Sequence, residues 1–441
     1  MPYFVRKFNV LIPICEMQEY KEEAKNHDAQ DALADFRNSF YFPETEADHC
    51  VYFTGNSLGL QPKTVRDEID IELRDWAKYG VEGHFEAEHP WFSYHELLME
   101  PAAKMVGALP GEVVHMNGLT TNIHLLMVSF YSPTKHRYKI ICEAKAFPSD
   151  QYALESQVLF HGFNPHDAIV EVHPRKGEHT IRQEDIEAAI EEHKDELALV
   201  FWGGVNYYTG QLFDMKGITE AAHAQGAVVG FDLAHAAGNV PLELHNWDVD
   251  FAAWCTYKYF NSGPGSVGGV FVHHKHANTK NLPRFAGWWG YNKEKRFKME
   301  SGFDPIPGAE GWQLSNAPVF AMAPHLASLK IFEKAGMDRL RAKSVKLTAF
   351  LERIINHVAE KNTAEIELIT PSDPDARGAQ LSILAHGYGK GLFHDIQKNG
   401  VFADWREPNV IRIAPVPLYN SFYDCYKFGE LLDNALKKYK K

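Results

Sequence analysis

Short apolar runs separated by amphipathic stretches organise the middle of the chain. Strand-like runs are expected at 112–116, 138–143, 168–172, 197–202 and 227–231, each of a length and a β-branched or aromatic content that suits a strand buried on both faces. Between them, apolar positions recur at intervals of three and four, which predicts helices over 122–131, 150–160, 183–195 and 215–225. Strand and helix alternating in this way predict an α/β unit with a mostly parallel sheet covered by helices. After Pro318 the pattern changes to one long helical tract reaching about residue 360, then short strands at 365–370, 379–384 and 410–414 and a closing helix over 421–439. That is a smaller α+β domain. The expected division is a segment 1–50 that carries a helix and packs with the small domain, a large domain 51–317, and the small domain 318–441.

At 441 residues the chain is too long for one ordinary core, in keeping with this division. A net charge of −13 leaves no positive surplus to neutralise a phosphate backbone, so nucleic acid is not an expected partner. Cys15, Cys50, Cys142, Cys255 and Cys425 are odd in number, far apart and without a C-x-x-C pair, which predicts a reducing compartment rather than a disulfide framework or a zinc site. The apolar run near the N-terminus is short, is broken by Pro13 and lacks a small-residue cleavage site, so export is not expected. No later stretch approaches the roughly 20 apolar residues of a membrane span. A cytoplasmic protein with no membrane partner is expected, with Met17 as the start of translation because the helical pattern begins between Glu16 and Tyr20.

The stretch DFAAWCTYKYFNSGPGSVGGVFVHH at 250–274 delivers Tyr257 and Lys258 from a strand into a Gly/Pro-rich loop. An ammonium held among apolar residues loses hydration and yields the free amine that attacks an aldehyde, as a Schiff-base lysine must. A lone lysine is more often a solvated loop residue. In AVVGFDLAH at 227–235, however, a buried strand ends on Asp232. Such a carboxylate either caps the following helix or holds a pyridinium nitrogen protonated, making the ring an electron sink. Paired with Lys258, the second reading leads, and it points to pyridoxal 5′-phosphate (PLP).

Two further stretches fit that cofactor. VVHMNGLTTN at 113–122 leads from a strand through a small-residue turn into a helix start, where free N–H groups bind phosphate; Thr120 and Thr121 read equally well as N-caps. FPSD at 147–150 places Phe147 where it could stack on a planar ring, or simply fill the core, with an acid beside it. GPGSVG at 263–268 has the spacing of a dinucleotide-binding turn, but a strand follows instead of the helix that motif needs. His273, His274 and His276 read as a solvated turn, since no Cys or carboxylate lies at ligand spacing, and no metal is expected.

YFTGNSLGLQP at 52–62, FPSD, GVNYYTGQ at 204–211, DLAHAAGNVPL at 232–242, TYKYFNSGPG at 256–265, GWWGY at 287–291, SNAPV at 315–319 and IRIAPVPLYNSF at 411–422 together resemble kynureninase, a PLP enzyme of fold-type I in the aminotransferase class V superfamily. The resemblance implies a seven-stranded sheet in the large domain and hydrolysis of L-kynurenine, or its 3-hydroxy form, to an anthranilate and L-alanine, in tryptophan catabolism and NAD biosynthesis. It implies that Leu119, Thr120, Tyr257 and Trp288 surround the phosphate, Trp288 reaching into the partner's site in a homodimer with shared active sites. Phe147 would stack on the ring, with Pro148 and Ser149 beside it; Asp150, Asp232 and His235 would set its electronics and orientation; Lys258 would carry it. Asn316 would border cofactor and substrate, Arg412 would take the substrate carboxylate, where a planar fork suits best, and His84 would face the aromatic amine. Catalysis would rest on Lys258, Asp232 and Tyr257, the last as a proton shuttle. Gly203 stands where the family often has a hydroxyl residue, so a cofactor contact there must use backbone. Trp289 and Tyr291 replace the commoner Phe and His, which bears on the preference between ring substituents. Two alternatives are a cysteine desulfurase-like lyase, for which Cys255 and Cys425 are badly placed, and a non-catalytic scaffold of the same fold, against which Lys258, Asp232 and Arg412 together argue.

Overall fold

The computed structural model describes residues 17–276, 279 and 282–439; the reading of residues 1–16, Cys15 included, lies outside them. Seven strands form the main sheet in the order Val113–Met116, Gly268–Val272, Phe251–Cys255, Val228–Asp232, Leu197–Gly203, Lys139–Glu143, Ile169–Val172. Neighbours are parallel except at Gly268–Val272, which runs against both of its neighbours. Parallel strands cannot be joined by tight turns, so the connections cross a face of the sheet, most of them as helices, while residues 233–250 link Val228–Asp232 to Phe251–Cys255 through turns alone.

Successive side chains of these strands enter two different cores. Ile141, Val200, Trp202, Val229, Phe231, Ala252 and Trp254 pack in one, while Ile140, Cys142, Leu199, Phe201, Phe251 and Ala253 pack in the other. Both faces are dry, which is why the strands appear in the sequence as unbroken apolar runs rather than alternating ones. Helices Glu96–Val106, Gln183–Glu192, Met215–Ala224 and Val319–Ala335 add Leu98, Ile186, Ile218 and Leu329 to the first core. Leu119–Phe130 and Pro148–Phe160 add Leu126 and Leu154 to the second. Truncating one of these leucines to alanine costs about 2–5 kcal/mol.

The single helical tract expected after Pro318 is two helices, Val319–Ala335 and Met337–Asn362. They separate at Gly336, whose φ of 77 is a left-handed conformation that L side chains rarely adopt. Met337–Asn362 joins a third core with the closing helix Phe422–Lys437 and an antiparallel sheet of Ile366–Leu368, Leu381–Ala385, Val410–Ile413 and Asp404–Arg406. Tyr20 and Ala24 of helix Met17–Ala29 are buried in this core. Asp28 at the end of that helix accepts hydrogen bonds from the N–H groups of Phe422 and Tyr423 at 2.7 and 3.0 Å, satisfying free donors at the start of the closing helix. Among the described residues no helix is long and apolar enough to cross a membrane.

Candidate active site

Glu143, Gly203 and Asp232 are the last residues of three strands that lie side by side in the sheet, and Lys258 follows the next strand, Phe251–Cys255. All four line a cavity of about 260 Å³. This is the carboxyl edge of the parallel strands, where open α/β sheets bind their ligands.

Lys258 Nζ lies 3.0 Å from Nε2 of the buried His235. Burial, and then the positive charges of Lys258, Arg412 and Arg406, hold the His235 pKa well below its ordinary value. The ring is therefore neutral; Nε2 accepts from the lysine, and the hydrogen resides on Nδ1. That Nδ1 is buried without a partner, a donor whose cost is relieved by an acceptor on a bound molecule.

Asp232 Oδ1 accepts a hydrogen bond from the Ala234 N–H at 2.7 Å. Its carboxyl also meets that of Asp150, and burial raises the pKa of both. The negative charge of Asp232 raises Asp150 further, so the two carboxyls titrate as a pair that favours sharing one proton. Asp150 arrives there because Phe147 is the N-cap and Pro148 the first residue of helix Pro148–Phe160, a position where the missing N–H of proline does no harm. Glu143 stands behind this pair. Burial is the main cause that lifts its pKa to about 7, against a hydrogen bond donated by Asn206 Nδ2 at 2.8 Å.

Gly118, Leu119, Thr120 and Thr121 also line the cavity. Gly118 is the N-cap of helix Leu119–Phe130 and no side chain caps the helix, so the two threonines lie inside the first turn. The N–H groups there have no intrahelical acceptor and carry partial positive charge, which suits a phosphate. Phe147 and Tyr257 line the cavity as well, with ring centres 5.9 and 6.0 Å from Lys258 Nζ. Burial pushes the Tyr257 phenol up, so it retains its proton and can donate it.

Of the residues singled out in the sequence, Leu119, Thr120, Phe147, Ser149, Asp150, Gly203, Asp232, His235, Tyr257 and Lys258 line this one cavity. Pro148 starts the helix without lining it. Arg412, buried in the strand Val410–Ile413, lies just outside: its Nη1 donates to the Tyr207 carbonyl at 2.5 Å, Nη2 pairs with Asp404, and Nε has no partner. His84 and Asn316 line a second cavity of about 250 Å³ with Trp76, Trp91 and Phe320. Trp288 is exposed, and ring contacts of 5.6, 5.7 and 5.6 Å run from it through Phe297 and Phe92 to Phe85, the neighbour of His84. Sequence reasoning missed Glu143, Tyr207 and Arg406. For Glu143 the signal was available: like Asp232, it is an acid ending an apolar run.

The reading of His273, His274 and His276 as a solvated turn without carboxylate partners is corrected by the structure. His273 is buried, His274 lies 3.2 Å from the buried Glu112, and His276 lies 2.8 Å from Asp250. Glu112 is remote in sequence and reaches the histidines only through strand pairing.

A helix start for an anion, an aromatic wall, a buried carboxylate and an amine beside an unpartnered imidazole N–H are the groups that a phosphorylated pyridine aldehyde needs. The fold and this cavity define an α/β enzyme of the PLP fold-type I class. C-DES with glycine covalently linked to its PLP cofactor has the same fold, with a TM-score of 0.73 at 17% identity, covering 89% of this chain and 100% of that one. The cysteine desulfurase CsdA from Escherichia coli does too, with a TM-score of 0.73 at 16% identity, covering 92% of this chain and 98% of that one. The model of the kynureninase C-terminal domain matches residues 340–432. A kynureninase from Flavobacterium psychrophilum is 59% identical over 419 residues, 95% of this chain and 99% of that protein. The chain belongs to the kynureninase family.

Proposed function

We propose that this chain hydrolyses the Cβ–Cγ bond of L-kynurenine or 3-hydroxy-L-kynurenine, giving an anthranilate and L-alanine, with PLP held at Lys258. The single observation that carries the reading is the convergence of Lys258, His235 and the Asp150–Asp232 pair on one cavity that a helix start also lines. Anthranilate fluorescence appearing when kynurenine meets the PLP-loaded protein, and absent with Lys258→Ala, tests it.

The first turn of Leu119–Phe130 would hold the phosphate, Phe147 the ring face, and Asp232 the protonated ring nitrogen. Bound there, the cofactor supplies a cationic ring that accepts the electron pair released at the substrate α carbon. Lys258 Nζ would hold the cofactor and would serve as the base that takes the substrate α proton. His235 keeps that amine oriented and, being neutral, does not repel it. Arg412, with Nη1 and Nη2 held by the Tyr207 carbonyl and Asp404 and Nε without a partner, would turn its guanidinium to the substrate carboxylate. Water adds to the side-chain carbonyl carbon; the Cβ–Cγ bond then breaks, Cγ leaving as the carboxyl of anthranilate and Cβ gaining a proton to become the methyl of alanine. Tyr257, whose phenol keeps its proton, is the donor for these late steps.

The functional unit in this proposal is a homodimer. His84, Asn316 and Trp288 lie away from the Lys258 cavity along one aromatic surface on which Phe85, Trp288, Phe297 and Met299 are exposed. Burying such a surface against a second copy is favourable and would carry these residues to the partner's cavity. The division into 1–50, 51–317 and 318–441, with helix Val319–Ala335 of the last part packed in the core of the large sheet, and a cytoplasmic location in which Cys50, Cys142, Cys255 and Cys425 stay as free thiols, are part of the same proposal. Cys255 and Cys425 are buried, out of reach as the mobile thiol that a desulfurase requires.

A further inference from the structure

We propose that Glu112, His245, His273 and His274 form a binding site for a divalent transition-metal ion, with zinc the best match to one carboxylate and three imidazoles. Their ligand atoms lie within 4.8 Å of one another. From Glu112 Oε1, Nδ1 of His245 is 3.0 Å away, Nδ1 of His274 3.2 Å and Nδ1 of His273 4.0 Å. Two donors bound tetrahedrally at the usual zinc distance of about 2.1 Å are themselves about 3.4 Å apart, so the cluster is close to closing on an ion.

Strand register builds the site. Phe271 pairs with Val113 across the antiparallel strands, which sets His273 and His274, just past the end of one strand, beside Glu112, just before the start of the other. His245 comes from the turn that precedes strand Phe251–Cys255. The cluster is thus at the amino ends of the parallel strands, whereas Asp232 and Lys258 are at or beyond their carboxyl ends. It is separate from the proposed active site.

The surroundings are those of a ligand shell. His273 is buried, and its Nε2 lies 3.3 Å from the His245 carbonyl and 3.4 Å from Asp248 Oδ1. Donation from Nε2 leaves the lone pair on Nδ1, the outer hydrogen bonding typical of a metal-bound histidine. The contact an ion must displace there is the bond Nδ1 accepts from the Lys275 N–H at 3.2 Å. Glu112 is buried and held by the N–H groups of Leu109 and His274, both at 2.8 Å. His245 and His274 can move their ring hydrogens to Nε2, where neither makes a protein hydrogen bond, as binding requires. His274 is exposed and gives an ion access. Lys275, next to His274 in the chain, is occupied by Asp248 and Asp250 at 2.9 Å each. An ion here would fasten the 242–248 turn to two strands of the sheet.

The test uses the PLP-loaded enzyme, stripped with a chelator and dialysed against zinc chloride. The expected result is one zinc per chain, histidine nitrogen in its X-ray absorption spectrum, and a zinc-dependent rise in Tm. Zinc affinity should fall about tenfold or more in His273→Ala and in His274→Ala, while both variants form anthranilate at the wild-type rate. Because His273 is buried, the exposed His274→Ala decides the outcome if the other variant fails to fold. Failure of the wild type to retain stoichiometric zinc, or equal retention by His274→Ala, overturns the proposal.

Discussion

The Glu143 carboxyl occupies the space that a side chain at position 203 would need: a Cβ built on Gly203 would lie 2.6 Å from Glu143 Oε1. The two residues end adjacent strands, and the glycine is what admits a third acid behind the Asp150–Asp232 pair. Gly203→Ser should therefore displace the carboxyl and lower kcat/KM for kynurenine by about tenfold, the scale of overpacking a dense interior. Steady-state assays of the variant beside Glu143→Gln check this.

Glu143 also makes a stability prediction. Its pKa is raised from 4.5 to about 7, chiefly by burial, so between those values the folded chain binds more protons than the unfolded one. Stability then falls as pH rises through that window. Denaturant unfolding of the cofactor-free protein should show a smaller loss between pH 4.5 and 7 in Glu143→Gln than in wild type; identical slopes would falsify the assignment.

Arg412 holds the Tyr207 carbonyl and Asp404 with separate arms of its fork. A lysine has one point charge and no fork. Arg412→Lys is expected to raise KM for kynurenine at least about tenfold, the loss of one charge-assisted hydrogen bond, with a smaller change in kcat.

The shared-site dimer predicts complementation. Lys258→Ala and Trp288→Ala chains, each weakly active alone, should regain up to about a quarter of wild-type activity when unfolded and refolded together at equal amounts. Half of the dimers are then mixed, and one of their two sites is intact. No gain on mixing would place Trp288 in its own chain's site or in none.

Much of this was legible in the chain. The strands were, because both sheet faces are covered and their apolar runs stand out, and Asp232 and Lys258 were, because each is polar at the end of such a run. What escaped depends on strand order rather than local pattern. Glu143 gains its role only because Lys139–Glu143 lies next to Leu197–Gly203, and Glu112 meets His273 and His274 only through antiparallel register. The polar strand Asp404–Arg406 has no periodicity to betray it, although it supplies Arg406 and the partner of Arg412. The break at Gly336 is marked in the sequence only by one glycine within a helical pattern, which a helix tolerates at a cost of about 1 kcal/mol.

The central claim is that Lys258 and Asp232 act on one cofactor across one cavity. Borohydride reduction of the PLP-loaded protein followed by peptide mass mapping tests it most directly, carried out on wild type and Asp232→Asn together with their kynurenine turnover. The account predicts one reduced adduct per chain, on the peptide containing Lys258, in both proteins, with turnover in Asp232→Asn lower by about a hundredfold or more. An adduct on any other lysine, or wild-type turnover in Asp232→Asn, would contradict it.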